Sequence, residues 1–174
     1  VAVPELPVDV AGYVRCIADA GYFEAISFTA EDRQRADQYT ANIERETLRG
    51  EAQSMDEFLR SLDMTVQFGP VSSLDLLRVT QLINKTNQFN TTTRRYTRDE
   101  LAAFATDEKN TTLQFRLADH FGDNGLVSVI IFCPDPNQAH VYEMVNWVMS
   151  CRVFGRQLED EVMNIAVETA LARG

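Results

Sequence analysis

The apolar residues change period at Met64, and that switch constrains the fold more than any other feature of the chain. Met64, Val66 and Phe68 alternate with Thr65 and Gln67, which predicts a strand ending at Gly69-Pro70. Ser72 or Ser73 then caps a helix whose apolar positions Leu76, Val79, Leu82 and Ile83 recur at helical spacing. Thr97-Arg98-Asp99-Glu100 opens a second helix, reaching about Thr106. Strands follow at Thr111 to Leu117, Leu126 to Phe132 and Val141 to Ser150, with Asp123-Asn124-Gly125 as a hairpin signal. On the last strand, strict alternation places Tyr142, Asn146 and Ser150 on one face, with Val145, Trp147 and Met149 in the core behind them. An amphipathic helix carrying Leu158, Val162, Ile165, Ala166 and Thr169 on one side ends the pattern. The order β-α-α-β-β-β-α predicts an α+β fold: a mixed, mostly antiparallel sheet with flanking helices.

The first 62 residues read as helical. Gly21 is placed to cap a short helix starting near Val10, Thr29-Ala30-Glu31-Asp32 to open a charged helix, and Ser54-Met55-Asp56-Glu57 to form an S-x-x-E capping box. Large apolar residues are sparse here, so this stretch reads as a helical arm packed along a neighbour. A helical connector ending at residue 62 (26–62) and an α/β core over 63–174 are therefore expected.

Charge narrows the choice of partners. The chain carries a net charge of −10, which repels a generic polyanion such as a nucleic acid. No apolar run approaches the ~20 residues that a membrane-spanning helix needs. Residues 84–98 nevertheless hold Lys85, Arg94, Arg95 and Arg98 and no acid. A basic stretch in an acidic protein is either a solvated surface cluster or a local anion site. Three cysteines without a C-x-x-C pair, and two histidines without ligand-spaced neighbours, predict a reducing, cytoplasmic setting and no metal site.

Two segments stand out chemically. In Met149-Ser150-Cys151-Arg152-Val153-Phe154-Gly155-Arg156-Gln157, a strand turns into the last helix. Backbone N–H groups at such a turn attract anions, Gly155 permits close approach, and Arg152 and Arg156 add charge. Cys151 beside those arginines is a candidate thiolate; the competing reading is a small buried residue at a strand end. The second segment, Asn84 to Thr97, is dense in amides and hydroxyls. Asn84, Asn87, Gln88, Asn90, Thr93, Arg94, Arg95 and Tyr96 offer donors and acceptors for a polyol or an amide-bearing chain, or else knit a self-capped turn. His120 reads as a surface turn residue.

The element order and the R-x-x-G-x sequence opening the last helix resemble the N-acyltransferase (GNAT) superfamily. There, a loop R/Q-x-x-G-x-G/A cradles the pyrophosphate of coenzyme A or a phosphopantetheine arm. Arg152, Gly155 and Gln157 match its first, fourth and sixth positions, and Gln157 departs from the usual Gly or Ala. The closing GNAT strands are absent from the sequence, which stops one helix after the loop.

A narrower resemblance rests on Asn84-Lys85-Thr86-Asn87-Gln88-Phe89-Asn90-Thr91-Thr92-Thr93-Arg94-Arg95-Tyr96-Thr97. It extends to Asp119-His120-Phe121-Gly122-Asp123-Asn124-Gly125-Leu126, Met149-Ser150-Cys151-Arg152-Val153, Ala20-Gly21-Tyr22-Phe23-Glu24 and Thr29-Ala30-Glu31-Asp32-Arg33. These stretches resemble FkbH-like proteins of polyketide biosynthesis. The resemblance implies the C-terminal part of a glyceryl-loading protein, preceded by a haloacid-dehalogenase-type (HAD) phosphatase domain whose tail would be residues 1–25. Such proteins deliver a three-carbon glyceryl-type acyl group to an acyl carrier protein, toward a methoxymalonyl-type extender or a starter unit. By the same implication Arg152, Gly155, Arg156 and Gln157 would hold the phosphopantetheine arm (or coenzyme A), and Arg94 and Arg95 its phosphate or the carrier's acidic helix. Cys151 would carry or receive the acyl group. The phosphatase D-x-D motif does not occur in the chain. A non-catalytic carrier-docking module and an acetyl-CoA-dependent N-acetyltransferase are the alternatives.

Overall fold

The computed structural model describes residues 6–19 and 30–173. The expected caps at Gly21 and Thr29 lie outside the described residues. The chain divides into two compact units, Val1–Thr40 and Ala41–Gly174. In the first, a short 3₁₀ turn capped by Asp9 leads into α1 (Tyr13–Asp19). The boundary falls inside α2 (Ala30–Glu51), and residues 41–62 fall in the same unit as the sheet. α3 (Met55–Ser61) buries Phe58, and Leu62 follows it fully buried. Ser54 caps α3 as its sequence predicts, accepting from the Glu57 amide, while the Glu57 carboxylate reaches back one residue further, to the Gln53 amide.

The second unit has the expected α+β, GNAT-like arrangement. β1 (Thr65–Pro70), β2 (Thr111–Asp119), β3 (Gly122–Pro134) and β4 (Tyr142–Met149) form one antiparallel sheet in the order β1-β2-β3-β4. α4 (Leu76–Lys85) and α5 (Arg98–Thr106) cover one face. α6 (Leu158–Leu171) covers the other. Helical spacing decides which side chains go inside. Leu76, Val79, Leu82 and Ile83 of α4 pack with Leu126, Val129, Ile131 and Val148. Leu158, Val162, Ile165 and Ala166 of α6 pack with Phe115, Val127, Ile130 and Trp147. Thr97 caps α5 with the complete reciprocal box to Glu100.

α4 begins later than its serines suggest. Its N-cap is Asp75; the Ser72 hydroxyl accepts from the Asp75 amide and donates to its carboxylate, which Arg116 and Gln114 also bond. These bonds join the start of the helix to β2.

Two irregularities move the sheet away from strict alternation. The β2–β3 turn consists of His120 and Phe121, with Asp119 opposite Gly122. Asp123-Asn124-Gly125 is therefore not the hairpin turn. It lies within β3, where the Asp123 carboxylate accepts from the Gly125 amide and Gly125 takes a φ of +66°. A Gly in that region beside an extra residue is the chemistry of a bulge, which the same sequence signal serves as well as a turn. On β4, Ile131 pairs with Asn146 and Phe132 with Met144, leaving Val145 extra. That insertion reverses the parity. Tyr142 shares a face with Trp147 and Met149, while Val145 packs on the opposite face near Val148. The expected grouping of Tyr142 with Asn146, and of Val145 with Trp147, is corrected by this bulge.

Phe115 has no exposed surface and stands at the centre of the α6 side of the sheet. Phe115→Ala is expected to lower unfolding free energy by about 3–5 kcal/mol, read as an earlier urea midpoint with unchanged slope.

Candidate functional site

Asp119 ends β2 with its carboxylate fully buried, and five donors converge on it. Arg45 of α2 binds it in a two-pronged fork, Nε to Oδ2 at 2.9 Å and Nη2 to Oδ1 at 2.8 Å. Arg156 adds Nη1 to Oδ2 at 2.7 Å. The Phe121 amide and the Asn124 side chain complete the set. Burial pushes the Asp119 carboxyl up, but these bonds and the Arg45 charge outweigh it and hold the pKa below its ordinary value. Arg45 and Arg156 are themselves only 6% and 5% exposed. Two guanidiniums on one carboxylate leave a net positive charge away from water, a costly arrangement unless a further anion approaches.

The cavity next to this cluster has a volume of about 240 Å³. Asn42, Arg45, Glu46 and Arg49 line one side, and Cys151, Arg152, Phe154, Gly155 and Arg156 the other. Arg152 donates Nη2 to the Leu126 carbonyl, and its buried Nε has no partner. Burial, and then the neighbouring positive charge of Arg78, push the Arg152 pKa down; burial and then Arg45 do the same to Arg156. The fold thus gathers four guanidiniums in one recess of an acidic protein. Cys151, on a short 3₁₀ turn after β4, is exposed rather than buried. It makes no hydrogen bond to a histidine or carboxylate among the described residues.

The helix terminus contributes less than the sequence suggests. The first turn of α6 carries Glu159, Asp160 and Glu161, which already face the positive end of its dipole. Gln157 is its N-cap in the left-handed region, φ 54°, with no side-chain cap bond. Anion attraction here resides in side chains.

The amide-rich segment spends most of its bonding capacity on itself and on β4. Asn84 mimics a peptide, donating to the Tyr96 carbonyl and accepting from the Tyr96 amide. Arg95 satisfies the end of α4, bonding the carbonyls of Ile83 and Thr86 and the side chain of Asn87. Asn90 accepts from the Thr93 amide, and Thr93 holds a φ of 55°. The Thr91 amide and the Trp147 carbonyl, and the Met149 amide and the Phe89 carbonyl, pair this segment with the outer edge of β4. Asn146, fully buried, donates to Asn90 and Thr92 but leaves its own carbonyl oxygen without a partner. Arg94 lies over the Tyr96 ring. Gln88 makes no hydrogen bond among the described residues.

The expected site residues therefore fall into two groups, with Gln157 in neither, since it does not line the cavity. Cys151, Arg152, Gly155 and Arg156 share the cavity; none of residues 84–96 lines it. The two groups touch through Phe89, which packs edge-on against Trp147 and lies 6.2 Å from Phe154. Sequence reasoning missed Asn42, Arg45 and Arg49, polar positions on one face of a helix that looked merely solvated. Asp119 and Asn124 lay within a singled-out stretch, but Asp119 was given no role and Asn124 only that of a turn residue. No three His, Cys, Asp or Glu side chains among the described residues are placed to hold a metal ion. No described helix is long and apolar enough to cross a membrane. No protein-family model, curated protein or solved structure matches the chain.

Asp119→Ala strands two buried guanidiniums and should cost about 3–5 kcal/mol. Because the folded pKa is depressed, the stability Asp119 confers is complete above the ordinary value of 3.8 and lost as pH falls through the lower folded value. Urea titrations between pH 7 and pH 2 should show a smaller acid-induced loss in Asp119→Asn than in the wild type.

Proposed function

We propose that this chain is the carrier-facing part of an FkbH-like glyceryl-loading protein. It assists transfer of a three-carbon glyceryl-type acyl group to an acyl carrier protein in a reducing, cytoplasmic compartment, for polyketide extender or starter synthesis. The arginine-lined cavity with Cys151 at its edge carries this reading. A phosphate needs paired, fork-shaped donors, and guanidiniums supply them. A thioester exchange needs a thiol within reach of the tethered acyl group. The α+β, GNAT-like sheet and the motifs between Asn84 and Thr97 and around Asp119 support the same reading.

In this scheme the phosphate of the phosphopantetheine arm enters the cavity beside Arg152 and Arg156. An acyl group held as a thioester on Cys151 is attacked by the carrier's thiolate. The new thioester forms as the bond to the Cys151 sulfur breaks, and the Cys151 thiolate leaves with the electron pair, so no oxidant or metal is required. Phosphate removal belongs to the HAD part that the family resemblance implies.

A second reading is a non-catalytic docking module. The specific observation in its favour is that Cys151 has no hydrogen-bonded base among the described residues. Acetyl-CoA-dependent N-acetylation is the weaker alternative, since Gln157 replaces the small residue of the pyrophosphate loop.

Incubation with a glyceryl thioester should yield an acyl adduct by intact-protein mass spectrometry, absent in Cys151→Ala and discharged by holo-carrier. Carrier binding with no adduct supports the docking module, and failure of the chain to bind holo-carrier removes the proposal.

A further inference from the structure

The scheme above leaves one guanidinium of the cavity without a task. Arg45 and Arg156 are held by Asp119, while Arg152 gives one donor to the Leu126 carbonyl and keeps its unpartnered Nε buried. Arg49, one turn beyond Arg45 on α2, lines the same cavity and is exposed. It donates no hydrogen bond and makes no ion pair among the described residues. Its Nη1 lies 3.6 Å from the position a Cβ on Gly155 would occupy, so it reaches across to the loop.

We propose that Arg49 is the ligand-contacting residue for a phosphate ester bound in this cavity, and that Asp119 is the positioning residue that fixes Arg45 and Arg156 behind it. The proposal rests on the reading that a phosphate-bearing tether occupies the cavity, and it assigns the grip to α2, outside the loop where the family resemblance puts it.

Three features converge on this division of labour. The first is charge: four guanidiniums face two carboxylates, Glu46 and Asp119, an excess of two positive charges suited to a phosphate group. The second is size. About 240 Å³ accommodates a phosphate and the first atoms of its substituent, below the roughly 300–1,000 Å³ of sites that enclose a drug-sized molecule. The third is geometry. A guanidinium whose donors are spent on protein groups supplies background charge, whereas one with all five N–H groups uncommitted can form a two-pronged bond to phosphate oxygens. Asp119 converts two arginines into the first kind. Arg49 is of the second kind.

The same cavity chemistry suits the phosphodiester of a carrier-bound phosphopantetheine and the pyrophosphate of coenzyme A, so both are probes. Calorimetric titrations of the whole chain with holo-carrier, coenzyme A and inorganic phosphate would be compared for the wild type, Arg49→Gln, Arg49→Lys, Asp119→Asn and the surface control Arg98→Gln. Arg49→Gln should weaken phosphate-ester binding about 10- to 100-fold with unchanged Tm, as expected for losing a charged hydrogen-bond donor. Arg49→Lys should recover part of that loss, and Arg98→Gln should bind like the wild type. Asp119→Asn should weaken binding while also lowering Tm.

Wild-type affinity in Arg49→Gln overturns the role of Arg49 and leaves the tether reading standing. Binding of inorganic phosphate alone, lost in Arg49→Gln, upholds Arg49 and overturns the tether reading. No binding of any probe by the wild type overturns both.

Discussion

A buried carboxylate shared by two arginines organises this structure. Asp119 ends β2, Arg45 comes from α2 and Arg156 from the loop before α6, so one side chain ties together three stretches far apart in sequence. The link to α2 matters most, because Arg45 is the one residue of Ala41–Glu51 that is buried. Hydrophobic burial cannot hold that half of the helix, and a bidentate ion pair substitutes for it. The arrangement is expensive: desolvating three charged groups is offset only when each finds good partners. Asn42 and Asn124, the Phe121 amide and the Arg152 carbonyl supply them. Even so partnered, the cluster keeps one more positive than negative charge.

The helices of the second unit were legible because their burial follows a period that a sequence displays directly. Every apolar position expected to face inward on α4 is buried, as are Leu158, Val162, Ile165 and Ala166 on α6. The strands were legible as strands, and β2 in its facing, with Leu113, Phe115 and Leu117 all buried on one side, but β4 was not. One extra residue at Val145 reverses which side chains of β4 point to α6, and no propensity marks where such an insertion falls. Asp123-Asn124-Gly125 shows the same limit: it supplies a bend with a left-handed glycine, and tertiary context makes that bend a bulge. The deciding partner is Arg156, more than thirty positions downstream, which shares Asn124 and Asp119.

The site was half legible for a related reason. Arg152, Gly155, Arg156 and Cys151 were recognisable because they cluster in sequence where a strand ends. The arginines of α2 were not, because an exposed helix rich in Glu and Arg is the commonest appearance of a solvated face. Conversely, Asn84 to Tyr96 looked like a ligand-binding surface, yet its unusual polarity goes largely into replacing backbone partners. Asn84 stands in for a peptide group, Arg95 terminates a helix, and Thr91 with Phe89 extends the hydrogen bonding of β4 by a short pairing. Such a segment still bears on the cavity through what it fixes, since Phe89 braces Trp147 and approaches Phe154, which lines the cavity.

The acidic first turn of α6 explains why recognition would rest on arginines. A helix N-terminus attracts an anion through exposed amides and a dipole, and Glu159, Asp160 and Glu161 oppose both by bringing their own negative charge. Gln157 adds a second obstacle: at φ 54° it occupies a conformation that glycine adopts freely and other residues adopt at a cost of roughly 1–2 kcal/mol. A chain that relied on close backbone approach would have little reason to keep a long side chain there. With guanidiniums reaching in from α2 and from the loop, the backbone need not approach, and Gln157 and the acids become compatible with a phosphate held a few ångströms away. Charge delivered by side chains also depends on whatever orients them, which returns the site's integrity to Asp119.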